Sequence, residues 1–477
     1  MEETLLKIAQ TINTYLSDYI LIFLLIGVGL YYSIRTKFVQ VRCFGEGMKK
    51  TFGNLSLSGG KQKSGLSSFQ ALATAIAAQV GTGNIVGACG AILIGGPGAI
   101  FWMWIIAFFG MATIYSEAVL ALKTRKIYED GTVAGGPVYY IRTAFKGKFG
   151  KFLANFFSVA ALLALGLFGA MVQSNSITGA FENAMGVSNI WSKIIIGAII
   201  AALSGIVFIG GVQRLGSVTE KIVPIMATLY LVGGIIVLIF RAQYIPETFG
   251  MIFKYAFQSN AIIGGSIGYA IKTAMSQGAK RGLFSNEAGM GSTPHAHAQA
   301  NVDDPHDQGV VAMIGVFIDT FCVLTMTALV VISTLFVGDG PLAGGLLPDK
   351  IAESGITKAT AAQVAFGSVF GDKVGSIFVA ICLLFFAFST ILGWNLFGRI
   401  NARHLFGRKV NLPYSVLAII FVFIGSLVSN DLVWELTDMF NNLMVIPNVI
   451  ALFALGGLLV KTVGPHLGKK SNISEKE

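Results

Sequence analysis

Glycines and polar residues interrupt two apolar segments of this chain. The first interruption reads Gln79-Val80-Gly81-Thr82-Gly83-Asn84, and the second reads Thr273-Ala274-Met275-Ser276-Gln277-Gly278. An unwound helix frees N–H groups at one half-helix and C=O groups at the other, and these suit a carboxylate and a cation respectively. Two such interruptions therefore predict a binding site for a zwitterion and a coupling ion.

The first interruption offers the backbone N–H groups of Val80, Gly81 and Gly83 to a carboxylate, and Gln79 and Gln277 could hydrogen-bond an ammonium group. In the alternative interpretation, the glutamines only satisfy freed backbone groups and the glycines serve helix packing. In the substrate-binding interpretation, Phe168, Met275 and Trp394 are candidate walls of a pocket that admits a methyl group and little more. The predicted substrate-binding set is Gln79, Val80, Gly81, Thr82, Gly83, Phe168, Thr273, Met275, Ser276, Gln277 and Trp394.

Two adjacent hydroxyls, Ser389 and Thr390, lie in an apolar helix. Hard cations take oxygen ligands, so this pair could complete a sodium shell with carbonyls of the first interruption. Hydroxyls also bond back to their own helix, which is the alternative. Trp394 follows one turn later on the same face, where it either walls the pocket or simply packs.

Three ionisable residues lie in or beside apolar segments, where charge is costly and usually marks a function or a buried pair. Asp319 could ligate a cation or carry a proton. Glu117 lies near the basic end of its helix and is expected to order an inner gate. Lys272 is expected to face an outer aqueous vestibule or to pair with an acid.

The composition indicates a polytopic membrane protein. Of 477 residues, 54% are hydrophobic and 12% charged, with a mean hydropathy of +0.72, whereas soluble domains carry about 25% charged residues. No nucleotide-binding loop, metalloprotease helix or nucleophile elbow is present, so the chain is not expected to be an enzyme. We predict eleven apolar segments, at about 18–34, 67–94, 98–122, 152–180, 190–210, 218–240, 261–284, 310–337, 374–397, 414–428 and 432–459.

The basic residues set the expected orientation. Most of the 34 lysines and arginines fall in one set of alternate loops, including Lys280 and Arg281, and such loops are cytoplasmic. Eleven spans then place the N-terminus outside and the C-terminus inside a cell membrane. The first segment is preceded by a short amphipathic stretch, 1–18, expected to lie on the surface.

Removing the first span leaves ten, which divide into two inverted sets of five, each opening with an interrupted helix. The predicted fold class is an all-α polytopic membrane protein with one N-terminal helix and a five-plus-five inverted repeat. The predicted divisions are 1–66 for the surface helix, first span and loop, 67–241 and 242–462 for the two repeats, and 463–477 for a cytoplasmic tail.

Two longer motifs carry a family resemblance. The run Gly95–Gly110, GGPGAIFWMWIIAFFG, and the run Lys280–Ser292, KRGLFSNEAGMGS, resemble the two hallmark motifs of the alanine or glycine:cation symporter family. The similarity extends from about Ser67 to Lys461. The family in turn resembles the amino acid/polyamine/organocation group, which implies the LeuT fold.

The resemblance implies cation sites. The segment Gly81-Thr82-Gly83-Asn84 is similar to the helix break of sodium-coupled neurotransmitter transporters. By that similarity, the carbonyls of Ala77 and Val80 with Ser389 and Thr390 would form one sodium site. Asn84, Thr273 and Asp319 fall where a second lies in some relatives; Asp319 departs from the amide found there, which leaves sodium, a proton or a structural role open.

Together these observations predict a Na⁺-coupled importer of alanine and glycine that works by alternating access. A proton-coupled small amino acid transporter is the alternative, and an amino-acid-permeable channel is a further one. The expected partners are the small amino acid substrate, Na⁺ and the lipid bilayer, with no nucleic acid and no required protein partner.

Overall fold

The computed structural model describes residues 2–53, 65–129, 132–257, 267–343 and 348–468. Nearly all of them are helical, as the fraction of apolar residues requires, because a helix satisfies its own backbone groups in lipid. Among the described residues, nine helices are long and apolar enough to cross a membrane, and ten if the bent pair Ser68–Gln79 and Gly83–Gly95 is one span.

The described residues up to Phe240 are mostly helical. One short hairpin, in which β1 and β2 pair antiparallel, follows α7. The elements are α1 (Glu2–Tyr15), α2 (Ile22–Arg35), α3 (Val39–Arg42), α4 (Phe44–Phe52), α5 (Ser68–Gln79), α6 (Ala88–Gly95), α7 (Gly98–Thr124), β1 (Lys126–Ile127), β2 (Val133–Ala134), α8 (Pro137–Ala144), α9 (Gly147–Ala161), α10 (Ala170–Met185), α11 (Ile190–Ile209) and α12 (Gly211–Phe240).

The second repeat is built in the same way. Its elements are α13 (Ile245–Phe257), α14 (Ile267–Asn286), α15 (Pro294–His297), α16 (Pro305–Val316), α17 (Thr325–Leu335), α18 (Pro348–Ser354), α19 (Ala361–Phe370), α20 (Asp372–Phe406), α21 (Asn411–Gly425), α22 (Asn430–Ala454) and α23 (Gly456–Thr462).

Among the described residues, four π-helical segments interrupt the α-helical pattern. Three of them join two α-helices that continue one another, and the segment Gly83–Gly87 follows a bend after α5 and leads into α6. They are Leu16–Leu21, Gly83–Gly87, Leu162–Gly169 and Phe317–Leu324. Such segments are rare and are found mostly at functional sites.

Each of the eleven apolar segments coincides with a helix. The segment at 261–284, whose first six residues lie outside the described part of the chain, corresponds to α14. This helix is 20 residues long but is not among the membrane-spanning candidates by composition. Its charged residues Lys272, Lys280 and Arg281 account for that difference.

The predicted position of the second helix break was wrong. Residues 273–278 lie inside the continuous helix α14, and the chain leaves helical geometry only after Asn286. Gly278 serves packing instead, because a Cβ there would lie 2.6 Å from Trp102 Cβ and 2.8 Å from the Ala99 carbonyl oxygen. Close backbone approach of this kind is typical of membrane helices. The assignment of Lys280 and Arg281 to a loop was wrong for the same reason.

The N-terminal helix is not a separate surface element. It continues through a π-helical segment into α2, and its polar face is bound to α22. Asn13 Nδ2 donates to Glu435 Oε2 at 2.7 Å, and Asn442 Nδ2 donates to Ser17 Oγ at 2.9 Å. The first span is therefore held against the second repeat by buried amides and hydroxyls.

Candidate functional site

The first helix break lies at Val80–Thr82, between α5 and the π-helical segment Gly83–Gly87. The two half-helices are bent by 45°. Both glycines are required by close approach: a Cβ on Gly81 would overlap Thr390 Oγ1, and one on Gly83 would lie 3.1 Å from Ser285 Cα. The break therefore contacts α20 on one side and α14 on the other.

The second helix break lies between Asn286 and Thr293. Glu287 has φ 59°, and Gly289 and Gly291 have φ 85° and 82°. A positive φ is uncommon for glutamate and costs free energy, so its surroundings must enforce it. The break ends where α15 begins at Pro294. It coincides with the motif Lys280–Ser292, so this part of the family motif is a helix end followed by a turn.

Asp319 links the two breaks. Asn84 Nδ2, from the first break, donates to Asp319 Oδ1 at 2.6 Å. Ser285 Oγ lies 3.0 and 2.9 Å from its two carboxylate oxygens, and Thr320 Oγ1 donates to Oδ2 at 2.8 Å. Asn84 Oδ1 in turn accepts from the Gly81 N–H at 2.9 Å. A buried carboxylate with several donors organises the surrounding backbone strongly.

Three of the four residues of the predicted first sodium site, Ala77, Ser389 and Thr390, lie together. Thr390 Oγ1 lies 2.9 Å from the Ala77 carbonyl oxygen, and Ser389 Oγ lies 3.4 Å from the same oxygen. Val80 follows at the C-terminal end of α5, where its peptide leaves helical geometry. Both hydroxyls also donate to the Phe386 carbonyl, at 2.9 and 3.0 Å, as the alternative prediction stated. The donor set is all oxygen, which fits a hard cation.

Of the second predicted cation set, Asn84 and Asp319 meet, but Thr273 does not join them. Thr273 lies on α14 about 18 Å before Ser285 at 1.5 Å per residue, and it lines a different cavity. Ser285 takes the place that the sequence interpretation gave to Thr273.

Two glutamines are fixed at the first break by backbone partners. Gln79 Nε2 donates to the Asn286 carbonyl at 2.7 Å, and Gln173 Oε1 accepts from the Thr82 N–H at 3.2 Å. These bonds set which way each amide faces. Within the described residues, Gln79 Oε1, Gln173 Nε2 and Thr82 Oγ1 are buried and have no hydrogen-bond partner. Such atoms cost free energy unless a ligand or water satisfies them.

Trp394 closes the site from α20. It is 1% exposed, its Nε1 donates to Glu287 Oε1 at 2.5 Å, and its ring meets Phe284 edge-on at 5.8 Å. A Cβ on Gly169 would overlap the Trp394 ring. The indole therefore binds the second break and packs directly on the backbone at the start of α10.

The other predicted substrate residues lie elsewhere. Thr273, Ser276 and Gln277 line a cavity of about 360 Å³ between α14 and the N-terminal helix, together with Lys272, Lys280 and Glu435. Met275, also on α14, is half-buried, and Phe168 stacks on Phe440 of α22 at 5.5 Å. Gln277 is nine residues, or about 13 Å along the helix, from Asn286. Gln79 and Gln277 therefore do not converge on one point.

Helix α22 is tied to both sides of the second break. Before the break, Arg281 donates to both oxygens of Asp438, at 3.2 and 2.9 Å, and Lys280 Nζ lies 2.9 Å from Asp438 Oδ2. We call this cluster, Lys280, Arg281 and Asp438, the α14–α22 ion cluster. Its side chains are at most 11% exposed.

Within the break, Glu117 of α7 accepts from the Gly289 N–H at 3.1 Å and from Asn448 Nδ2 at 2.6 Å. Asn448 Nδ2 also donates to the Gly289 carbonyl at 2.9 Å. Asn448 lies on α22, ten residues after Asp438. Glu117 therefore orders the break from the side opposite the α14–α22 ion cluster.

Sequence reasoning missed Gln173, Ser285 and Glu287 as site residues. Gln173 lies among the ordinary polar residues of α10, and nothing in its spacing marks it. Ser285 and Glu287 lie inside a motif that was used only as a family signature. The signal that could have located the break there was the spacing Glu287-Ala288-Gly289-Met290-Gly291, with two glycines after an acid.

Comparisons with known proteins identify the family of this chain. A model of the sodium:alanine symporter family matches residues 2–477. The chain is 38% identical to the sodium/alanine symporter AgcS of Methanococcus maripaludis, covering 95% of both chains. It is 37% identical to the putative sodium/proton-dependent alanine carrier protein YrbD of Bacillus subtilis, covering 93% of this chain and 89% of the relative.

Solved structures share the fold at low identity. The MhsT transporter in complex with L-phenylalanine has a TM-score of 0.55 at 15% identity, covering 84% of this chain and 90% of that one. A mutant form of the manganese transporter of Eremococcus coleocola has a TM-score of 0.52 at 12% identity, covering 86% of this chain and 88% of that one. The fold is the LeuT fold, and the relatives are transporters rather than enzymes. This chain belongs to the sodium:alanine symporter family.

Proposed function

We propose that this protein is a Na⁺-coupled importer of alanine and glycine that works by alternating access. The observation that carries the proposal is the set of buried polar atoms without partners at the first break, next to an all-oxygen cluster on α20. The family supports an amino acid and a cation as the transported pair; alanine, glycine and Na⁺ are our specific assignments.

The unpaired atoms match the ends of a zwitterion. Gln79 offers an acceptor, Oε1, which suits an ammonium group, and Gln173 and Thr82 offer donors, Nε2 and the hydroxyl, which suit a carboxylate. The backbone around Gly83 adds N–H groups at the start of a half-helix, where an anion is stabilised. We propose that the substrate lies against this break, with Trp394 limiting its side chain.

A sodium ion would be held by the Ala77 and Val80 carbonyls with Ser389 and Thr390. Bound there, it would neutralise carbonyl dipoles at the end of α5 and pull α20 against the break. The inward Na⁺ gradient and the membrane potential then drive uptake, the latter by about 2.3 kcal/mol per charge per 100 mV.

We assign Asp319 a structural role between the breaks rather than a proton-carrying one. Asn84, Ser285 and Thr320 all direct donors at its carboxylate, and an ionised carboxylate accepts such bonds best. Protonation of Asp319 would occupy one lone pair of the carboxylate and weaken the bonds from these donors. For this reason we favour Na⁺ as the coupling ion.

Uptake by the purified protein in proteoliposomes tests the proposal. We expect an inward Na⁺ gradient at constant pH to concentrate alanine and glycine inside the vesicles. An inward proton gradient without Na⁺ should concentrate neither amino acid. Leucine and phenylalanine should not compete, because an extra methylene must be excluded or strain the walls. Accumulation driven by a pH gradient alone would reject Na⁺ as the coupling ion. Strong competition by leucine would reject alanine and glycine as the preferred substrates.

A further inference from the structure

A cavity of about 630 Å³ lies at the ends of two site-lining helices, away from the substrate site. Thr124 ends α7, which carries Glu117, and Arg403, His404 and Gly407 end or follow α20, which carries Thr390 and Trp394. The hairpin β1–β2 and helix α8 complete the walls. We call this space the basic cavity. Its described lining residues are Thr124, Lys126, Tyr128, Val138, Tyr139, Arg142, Thr143, Arg403, His404, Gly407 and Arg408.

The charge of the basic cavity is one-sided. Four of its described lining residues are lysine or arginine, and none of them is acidic. In the described part of the chain, no salt bridge joins Lys126, Arg142 or Arg403 to a carboxylate. Arg403 instead lies over the Tyr128 ring, 4.8 Å from its centroid. Crowding like charges around one space costs free energy unless an anion enters it.

The helix dipole explains only part of this cluster. Arg403 and His404 lie in the last turn of α20, where a cation is stabilised by the free carbonyls. Arg142 likewise lies in the last turn of α8, whereas Lys126 comes from the hairpin and is part of no helix. Thr124, Thr143 and Tyr139 line the same space. The two threonine hydroxyls donate to carbonyls of their own helices, at Leu120 and Tyr139, so the basic side chains are the donors that face an anion.

Exposed apolar residues are sequence neighbours of the residues that line the basic cavity. Ile127, between Lys126 and Tyr128, is 56% exposed, and Phe406, just before Gly407, is 67% exposed. Exposed apolar side chains next to a basic pocket are expected where a protein meets the headgroup level of a bilayer. Basic pockets between membrane helices bind anionic lipid headgroups.

We propose that the basic cavity binds a phosphate-bearing anion, either the headgroup of an anionic phospholipid or a soluble phosphate compound. Arg142 and Arg403 would hold its oxygens from α8 and α20. A bound anion would connect the ends of α7 and α20 and so influence how these helices move. The inference does not depend on which amino acid is transported.

The test uses the purified full-length protein and an Arg142→Gln/Arg403→Gln variant. The matched control is Lys148→Gln/Lys151→Gln, which removes the same charge from two exposed lysines of α9 outside the described cavity lining. In the lipid arm, nanodiscs contain phosphatidylglycerol and phosphatidylcholine, and native mass spectrometry measures which lipid stays bound. In the soluble arm, nanodiscs contain phosphatidylcholine alone, and inorganic pyrophosphate is titrated while the melting temperature is recorded.

For a lipid ligand, we expect wild type and control to retain phosphatidylglycerol preferentially, and the cavity variant to lose that preference. For a soluble ligand, pyrophosphate should stabilise wild type and control but not the cavity variant. The loss of affinity should be roughly tenfold or more, since charge-assisted hydrogen bonds are removed. Equal behaviour of cavity variant and wild type in both arms overturns the proposal. An equal loss of affinity in the Lys148→Gln/Lys151→Gln control also overturns it, because binding would then depend only on the overall positive charge of the surface.

Discussion

The hydroxyl of Thr390 donates to the carbonyls of both Ala77 and Phe386. A substitution at Thr390 can therefore remove one oxygen at the place where α20 contacts the first break. Thr390→Val keeps the shape and removes one oxygen of the proposed sodium shell. We expect the Na⁺ concentration for half-maximal alanine uptake to rise by about 5- to 150-fold, from a loss on the order of 1–3 kcal/mol. Uptake measured over a series of Na⁺ concentrations checks this.

A matched control separates sodium binding from helix stability. Thr334→Val on α17 also removes a buried hydroxyl that donates to its own helix, at Val330, but far from the break. Its Na⁺ dependence should equal that of wild type. Unchanged Na⁺ activation in Thr390→Val would remove Thr390 from the sodium site.

Gln79 and Gln277 look equivalent in the sequence and differ in the structure. Gln79→Leu removes the bond to the Asn286 carbonyl and the free acceptor at the break. Binding of alanine to the purified protein should weaken by about 5- to 150-fold, since a buried partner loses its hydrogen bond. Gln277→Leu, in the separate cavity beside α1, should bind alanine with nearly wild-type affinity.

Calorimetry with detergent-solubilised protein measures both variants under the same Na⁺ concentration. An equal loss in the two variants would mean that α14 presents Gln277 to the substrate after all. Wild-type affinity in both would mean that Gln79 only supports the break.

At the scale of elements, the sequence predicted the first break and misplaced the second. Gly81 and Gly83 are needed where backbone meets α20 and α14, and the polar residues beside them are visible in an apolar run. Gly278 has the same appearance, but it serves the contact with Trp102. Glycine is chosen both for close packing and for unwinding, so composition alone cannot distinguish the two uses.

The true second break depends on tertiary contacts. Glu287 takes a positive φ while Trp394 and Ser292 hold its carboxylate. Ser292 is five residues from Glu287 in the sequence, but Trp394 is more than one hundred residues away. Only the folded chain brings Trp394 to Glu287. The hydroxyl pair Ser389 and Thr390 was predictable because its chemistry shows against apolar neighbours. Gln173 was not predictable, because α10 contains other polar residues and Gln173 does not stand out among them.

The α14–α22 ion cluster joins α14 to α22 just before the second break. It gives a prediction about how closure of these two helices affects uptake. Arg281→Gln leaves Asp438 with Lys280 alone, so we expect a cost of about 1–3 kcal/mol, below the 3–5 kcal/mol of a fully broken buried pair. Alanine uptake should fall more than alanine binding, because closure rather than the site is weakened. Parallel uptake and binding assays check this.

The exposed pair Lys358–Asp431 is the control for Arg281→Gln. The Lys358 and Asp431 side chains are 29% and 71% exposed, and exposed pairs contribute at most about 1 kcal/mol. Lys358→Gln should therefore transport nearly as well as wild type. A comparable loss in Lys358→Gln would show that any charge removed near α22 has this effect.

At the scale of the whole molecule, the distribution of basic residues still predicts sidedness, although Lys280 and Arg281 no longer count as loop residues. The remaining basic loops predict that the N-terminus lies outside and the C-terminus lies in the cytoplasm. Glu3→Cys should react with a membrane-impermeant maleimide in intact cells. Lys461→Cys should react only after the membrane is permeabilised.

The native cysteines favour this experiment. Cys43, Cys89 and Cys382 are buried, and Cys322 is half-buried, so background labelling of the wild-type chain is expected to be low. Labelling of both new cysteines in intact cells, or of Lys461→Cys alone, would contradict the orientation.

The π-helical segment Leu162–Gly169 has a consequence for how this chain tolerates insertions and deletions. A wide turn accommodates one extra residue, so deleting one residue there would return the helix to regular α geometry. Helix α10 would then keep its facing relative to α9, because the wide turn already absorbs the extra residue. A deletion in the regular part of α10, between Gly169 and Gln173, would instead rotate Gln173 by about 100° away from the Thr82 N–H. Lineages related to this chain should therefore lose or gain a residue in the loops or within Leu162–Gly169, but not between Gly169 and Gln173.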